Sequence, residues 1–174
     1  MRLFVAIELD ESMKKALRAI QNGWRRRGVE GNYTPVENLH LTLAFIGEWP
    51  DADAVLDALS ELRFAPVELK LDGVGAFGDL WWAGLAENEA LDALVRRLRR
   101  ALSDAGVPFD RKSFRPHITL LRRADCRGKE PPFGLPLPQA QMRAEHISLM
   151  LSTRGRSGMI YTALGRVPAA EEET

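Results

Sequence analysis

Two four-residue stretches, His40-Leu41-Thr42-Leu43 and His117-Ile118-Thr119-Leu120, repeat one pattern in a chain of 174 residues that has three histidines in all. Side chains of a strand alternate faces with period two, so in each stretch the His and Thr project together and the two aliphatic residues project the other way. The aliphatic face of each strand suits a helix layer, and the opposite face offers an imidazole beside a hydroxyl. Each half of the chain carries a strand, a helix and one of these His-led stretches, a weak internal repeat. If the repeat is a pseudo-twofold arrangement, the two His/Thr pairs converge on one cleft.

Working outward, Leu3, Val5 and Ile7 read as a buried opening strand. Asp10 or Ser12 then caps a helix reaching about Arg27, with Leu17 and Ile20 on one face and Gly28 and Gly31 ending it. Leu39 to Ile46 is a second strand, in which Phe45 shares parity with Leu41 and Leu43 and so reads as core. Asp51 or Asp53 opens a helix to about Leu62, with Val55, Leu56 and Leu59 inward. Val67 to Val74 and Leu80 to Leu85 form a hairpin about Gly78-Asp79. Glu87 to Ala105 carries Leu91, Leu94, Val95, Leu98 and Leu102 at helical spacing, with Arg96, Arg97, Arg99 and Arg100 on the wet side. Pro116 to Leu121, Glu145 to Leu151 and Met159 to Gly165 complete the strands, with a proline-rich irregular loop from Gly128 to Gln139. Strands outnumber helices and alternate with them irregularly, which predicts an α+β architecture of largely antiparallel sheet.

Composition narrows the function. Twenty-four basic residues balance twenty-four acidic ones, which argues against coating nucleic acid by bulk charge. Hydrophobic residues make up 45% of the chain, too many for disorder at zero net charge. Nineteen of the basic residues are Arg, the side chain shaped for bidentate phosphate contacts. Locally, Arg111 to Arg127 contains Arg111, Lys112, Arg115, Arg122, Arg123 and Arg127 against Asp125 alone, a basic stretch around the second motif. The single Cys126 makes no intrachain disulfide. The opening apolar run meets Glu8 and Asp10 too early for a signal peptide, and nothing approaches the roughly 18 apolar residues of a membrane span. The expectation is a cytoplasmic monomer with no membrane contact.

Two imidazoles suit acid–base chemistry near neutrality, one ring neutral and the other protonated. The neutral ring takes a proton from water while the charged ring gives one to a leaving alkoxide, each transfer supplying about 10²- to 10⁴-fold. The Thr42 and Thr119 hydroxyls can donate to non-bridging phosphate oxygens. Together these groups can open a cyclic phosphodiester. One His-x-Thr alone is more often structural, since Thr is a good strand former; two matching copies weigh against that. No Cys, Asp or Glu stands at familiar ligand spacing from the histidines, so neither a metal nor another cofactor is expected. The residues alone leave open which histidine gives the proton.

The wider strings Leu3-Phe4-Val5-Ala6-Ile7, Asn38-Leu39-His40-Leu41-Thr42-Leu43-Ala44-Phe45-Ile46-Gly47 and Arg115-Pro116-His117-Ile118-Thr119-Leu120-Leu121-Arg122 resemble the duplicated HxTx signature of the 2H phosphoesterases. Within that superfamily they are similar to the RNA 2′,3′-cyclic phosphodiesterases of the LigT type, over nearly the whole chain from Arg2 to about Arg166. The resemblance implies a two-lobed, pseudo-twofold fold with helices outside and a central cleft, one domain over 1–168 followed by an acidic tail, 169–174. It implies hydrolysis of RNA ends or small nucleotides bearing a 2′,3′-cyclic phosphate to 2′-phosphomonoesters, without a metal, and a weak reverse activity as a 2′-5′ RNA ligase. It implies His40 as donor to the leaving 3′ oxygen and His117 as acceptor from water. Action on 2′-5′ linkages or on ADP-ribose cyclic phosphate, or nucleotide binding without chemistry, are the rival functions.

Around the motifs, Arg115 has the strand parity of His117 and is a candidate substrate contact. Arg122 has the opposite parity and reaches the cleft only where the strand ends or bulges, yet the resemblance favours it as a phosphate contact. Trp81 and Trp82 face opposite sides of their strand, one in the core and one at the rim. His146 has no following Thr and reads as structural or exposed.

Overall fold

The structure, a computed structural model, describes residues 1–170. Its elements are β1 (Arg2–Glu8), α1 (Glu11–Arg26), β2 (Glu30–Tyr33), a 3₁₀ turn (Val36–Asn38), β3 (His40–Glu48), α2 (Ala52–Ser60), β4 (Val67–Phe77), β5 (Leu80–Leu85), α3 (Glu89–Asp104), β6 (His117–Asp125), β7 (Gln141–Ala144), β8 (His146–Gly155) and β9 (Gly158–Pro168). They build two antiparallel sheets, ordered β3-β1-β8-β9 and β2-β6-β5-β4-β7. The α+β class expected from the alternation of elements is the fold observed.

Local chemistry explains the helix ends. Asp10, Asp51 and Asn88 each accept from the backbone N–H three residues on, at 2.8, 3.0 and 3.0 Å. α1 stops at Gly28, whose φ of +81° allows the left-handed turn in which Gly28 and Val29 N–H donate back to Arg25 and Trp24 carbonyls. Gly31 does not end the helix. It lies in β2, where its missing Cβ lets the strand approach β6: a Cβ there would stand 2.8 Å from the Arg122 and Arg123 carbonyl oxygens.

The sheets show the internal repeat. In each, a His-led strand (β3 or β6) pairs with the strand before the preceding long helix (β1 or β5). The helices interlock the halves: α1, which follows β1 of the first sheet, packs on β6 and β7 of the second, while α3 packs on β3 and α2 on β9 of the first. One buried cluster therefore runs through both sheets, from Leu3, Val5 and Ile7 to Trp81, Ile118 and Leu120. Leu41, Leu43, Ile118 and Leu120 all point into it, as strand parity predicts. Leu56, expected inward, is only half-buried, over Gly165 of β9.

Parity fails at two places, for the same reason. In the β1–β3 pairing Val5 faces Ala44 and Ala6 faces Thr42, leaving Leu43 without a partner. This bulge buries Leu43 and Ala44 in succession and turns Phe45 outward, to 54% exposure, so the core reading of Phe45 is wrong. In the β5–β6 pairing Trp82 faces Thr119 and Trp81 faces Leu121, leaving Leu120 over. Leu120 and Leu121 are both buried and Arg122 is turned out. Phe45 and Arg122 each stand five residues after their motif histidine and are the same position of the repeat.

Two four-residue strands, β2 and β7, are absent from the sequence reading. β2, Glu30-Gly31-Asn32-Tyr33, has no apolar face to advertise it. The Gly128–Gln139 segment is irregular, as its prolines predict. Of the tail, Ala169 and Ala170 are tied down by N–H donation to Glu145 and Phe64 carbonyls at 2.7 and 2.8 Å; the remainder, 171–174, lies outside the described residues. Among the described residues no helix is long and apolar enough to cross a membrane.

Candidate active site

β3 and β6 bring both motifs to one cleft of about 680 Å³, lined by His40, Thr42, His117 and Thr119 and by Arg122. That is within the ~300–1,000 Å³ of small-molecule sites. Each histidine opens its strand and is anchored alike. Nδ1 of His40 lies 2.6 Å from the Asn38 carbonyl oxygen, and Nδ1 of His117 lies 2.7 Å from that of Arg115. A carbonyl only accepts, so each Nδ1 carries the proton and donates. In the neutral ring Nε2 then carries the lone pair, and both rings line the cleft.

The two rings differ in what surrounds them. His40 is wedged between Phe4, at 5.0 Å between ring centroids, and Tyr161, at 5.2 Å. Its Nε2 is 2.8 Å from the Thr42 hydroxyl, which donates to it when the ring is neutral. Burial pushes the His40 pKa below its ordinary value; the bond to the Asn38 carbonyl opposes that shift, and the charges of Arg122 and His117 add to it. His117 has Phe77 edge-on at 5.1 Å. Asn38 serves twice, since its side-chain amide also donates to the Met159 carbonyl at 2.9 Å and ties the His40 anchor to β9.

Arg122 lines the cleft because of the bulge after Thr119, joined by Arg2 and Arg154, with Asp110 the single acidic residue of the lining among the described residues. Arg115 does not line this cleft. Its side chain is exposed, 5.9 Å from the Phe77 ring centroid, at a smaller adjoining pocket, and only its carbonyl serves His117. Trp81 is core, and Trp82 packs beside Phe77 and over Gly75, outside the cleft. His146 lies 3.7 Å from Glu8, away from the cleft lining. Phe4, Tyr161, Arg2 and Arg154 were not singled out by sequence. Phe4 was lost in a uniformly apolar strand, and the other three carry no local motif. Among the described residues no group of three or more His, Cys, Asp or Glu side chains is placed to hold a metal.

A model of the 2′-5′ RNA ligase superfamily matches residues 6–156, a span holding both motif strands. The RNA 2′,3′-cyclic phosphodiesterase of Thermus thermophilus is 33% identical, aligned over 94% of this chain and 88% of its own. That of Escherichia coli K12 is 31% identical over 95% of this chain and 94% of its own. The crystal structure of Escherichia coli LigT with 3′-AMP superimposes with a TM-score of 0.80 at 28% identity, covering 98% of each chain. With the duplicated His-x-Thr strands inside that match and the same two-sheet fold around them, the chain belongs to the 2′-5′ RNA ligase superfamily, among its RNA 2′,3′-cyclic phosphodiesterases.

Proposed function

We propose that this protein opens 2′,3′-cyclic phosphate ends of RNA to 2′-phosphomonoesters, with His40 and His117 as the acid–base pair. The observation that carries the reading is the matched anchoring: two imidazoles, each with Nδ1–H held by a carbonyl, present Nε2 to one arginine-lined cleft. A neutral Nε2 takes a proton from water as the oxygen attacks phosphorus. The bond from phosphorus to O3′ breaks, and the other imidazolium returns a proton to O3′. Water is consumed, a 3′-hydroxyl and a 2′-phosphate result, and the pair ends with its protonation exchanged. Thr119 and Arg122 are suited to hold the non-bridging oxygens, and Thr42 joins them once protonation of His40 Nε2 frees its hydroxyl proton. An RNA 5′-hydroxyl in place of water would yield a 2′-5′ linkage, the weak ligase activity.

The resemblance gives His40 the donor role. Burial and Arg122 favour its neutral form in the free protein, which by itself suits an acceptor. A bound phosphodiester adds a negative charge that offsets Arg122 and draws a proton onto His40, so the donor form belongs to the substrate complex. The test offers 2′,3′-cyclic AMP and a cyclic-phosphate-ended oligonucleotide, with and without EDTA, and identifies the product isomer. A 2′-phosphate insensitive to EDTA is expected. Loss of activity in EDTA overturns the metal-free mechanism, and a 3′-phosphate overturns O3′ as leaving group. His40→Ala and His117→Ala should each lose about 10²- to 10⁴-fold in turnover.

A further inference from the structure

A second cavity, of about 300 Å³, adjoins the cleft and shares Thr42, Phe45, Asp110 and His117 with it. Its own walls bring Arg99, Lys112 and Arg115 together with Phe77 and Phe114. Arg99 breaks the expectation for the Arg96–Arg100 face. Arg96, Arg97 and Arg100 are exposed, but Arg99 is half-buried. Its Nη1 donates to the Lys112 carbonyl at 2.8 Å, while its Nε is buried with no partner. That Nε has no exposed surface, so what Arg99 offers the cavity is its charge, gathered there with Lys112 and Arg115 and suited to a phosphate.

The apolar part of the cavity has an equally specific character. Phe45 and Phe77 are 54% and 39% exposed, among the few large apolar side chains left at the surface. Phe45 forms a wall common to both cavities, and the bulge after Thr42 puts it there at the cost of a core position. Exposed rings beside a cluster of cations match the two parts of a nucleotide, a base with a π-face and a phosphate with acceptor oxygens. Asp110, whose backbone N–H is held by the Phe45 carbonyl at 2.8 Å, supplies an acceptor for a ribose hydroxyl or a base amine.

We propose that this pocket binds the nucleotide next to the cyclic-phosphate end, its base against Phe45 and the linking phosphate at Arg99 and Lys112. The preferred substrate is then an RNA chain end and not a free cyclic mononucleotide. This rests on the phosphodiesterase reading above, and the experiment separates the two. kcat/KM is measured for 2′,3′-cyclic AMP and for the dinucleotide ApA ending in a 2′,3′-cyclic phosphate, on the wild type, Lys112→Gln and Arg99→Gln. The dinucleotide should be favoured about tenfold or more in the wild type, the size of one base stack. Each substitution should remove most of that advantage and leave the mononucleotide rate within about twofold, with a shallower salt dependence for the dinucleotide. Lys112 has an exposed side chain, so its variant decides the matter even if Arg99→Gln disturbs the loop. Equal kcat/KM for the two substrates, or an advantage that survives Lys112→Gln, overturns the subsite. Hydrolysis of neither substrate by the wild type overturns the phosphodiesterase reading instead.

Discussion

At the scale of single residues, the two motif histidines share an anchor but not an environment, and that difference has a measurable consequence. The His40 pKa lies below its ordinary value in the free protein, through burial first, the Arg122 and His117 charges adding to it. If His40 is the proton donor, it must be protonated to act, so kcat/KM, which reports the free enzyme, falls as pH rises past that lowered value. In the complex the bound phosphodiester raises the same pKa, and kcat should hold to higher pH before it falls. The basic limbs of the two profiles are therefore expected to separate, kcat/KM lying on the acid side. Coincident basic limbs would contradict the donor role of His40. His40, Thr42, His117 and Thr119 were legible in the sequence because a repeated pattern of rare residues stands out. Phe4 and Tyr161, which pack against the His40 ring, were not, because an aromatic on a strand says nothing about which face it takes.

At the scale of elements, the strands carrying the site were legible and their bulges were not. Alternation gives β3 and β6 as far as their Thr residues; one extra residue after each then exchanges the faces, taking Phe45 out of the core and Arg122 into the cleft. Such a residue leaves no mark on the hydrophobic pattern, because Leu43-Ala44 and Leu120-Leu121 are apolar on either face. What holds the second bulge is visible only in three dimensions. Gln21, 3% exposed on α1, donates from its side-chain amide to the Leu120 and Thr34 carbonyls, each at 3.0 Å. Gly31 of β2 lies against the Arg122 and Arg123 carbonyls, with its own φ at +143° and Arg123 at +54°. Gly31→Ala is expected to cost about 1–3 kcal/mol through backbone strain and close contact. It should also lower kcat/KM by displacing Arg122. Urea unfolding and steady-state rates check both; a variant as stable and as active as the wild type would show that β2 does not position Arg122.

At the scale of the whole molecule, the interlocked helices put the main buried cluster across both sheets, so acid damage at one lobe should be felt in the other. Glu8, at the end of β1, is faced by three groups: Arg166 of β9, bonded through both carboxylate oxygens at 2.8 and 2.9 Å, the Ser148 hydroxyl, and His146 at 3.7 Å. The Arg166 hydrogen bonds hold the Glu8 pKa below its ordinary 4.5, against the opposing effect of burial, with Ser148 and the charges of Arg166 and His146 adding to the depression. A depressed carboxylate contributes stability above its unfolded value and loses it as pH falls through the folded one. His40 acts with the same sign in a higher window: the unfolded chain takes its proton near 6.5 and the folded protein only below that, so stability also declines as pH drops from 6.5. The urea midpoint should therefore fall in two stages on acidification. His40→Ala should flatten the first, and Glu8→Gln should flatten the second, below 4.5. Both titrating groups belong to the first sheet, whereas Trp24 and Trp81, edge to face at 5.1 Å, report on the second in a Trp49→Phe background, which removes the tryptophan next to β3. If 1–168 unfolds as one unit, tryptophan fluorescence and far-UV circular dichroism will share a midpoint at every pH, because the buried cluster through both sheets is lost together. Separate midpoints, with the fluorescence change lagging at low pH, would mean that the second lobe survives the first and that the crossed helices do not make them one domain.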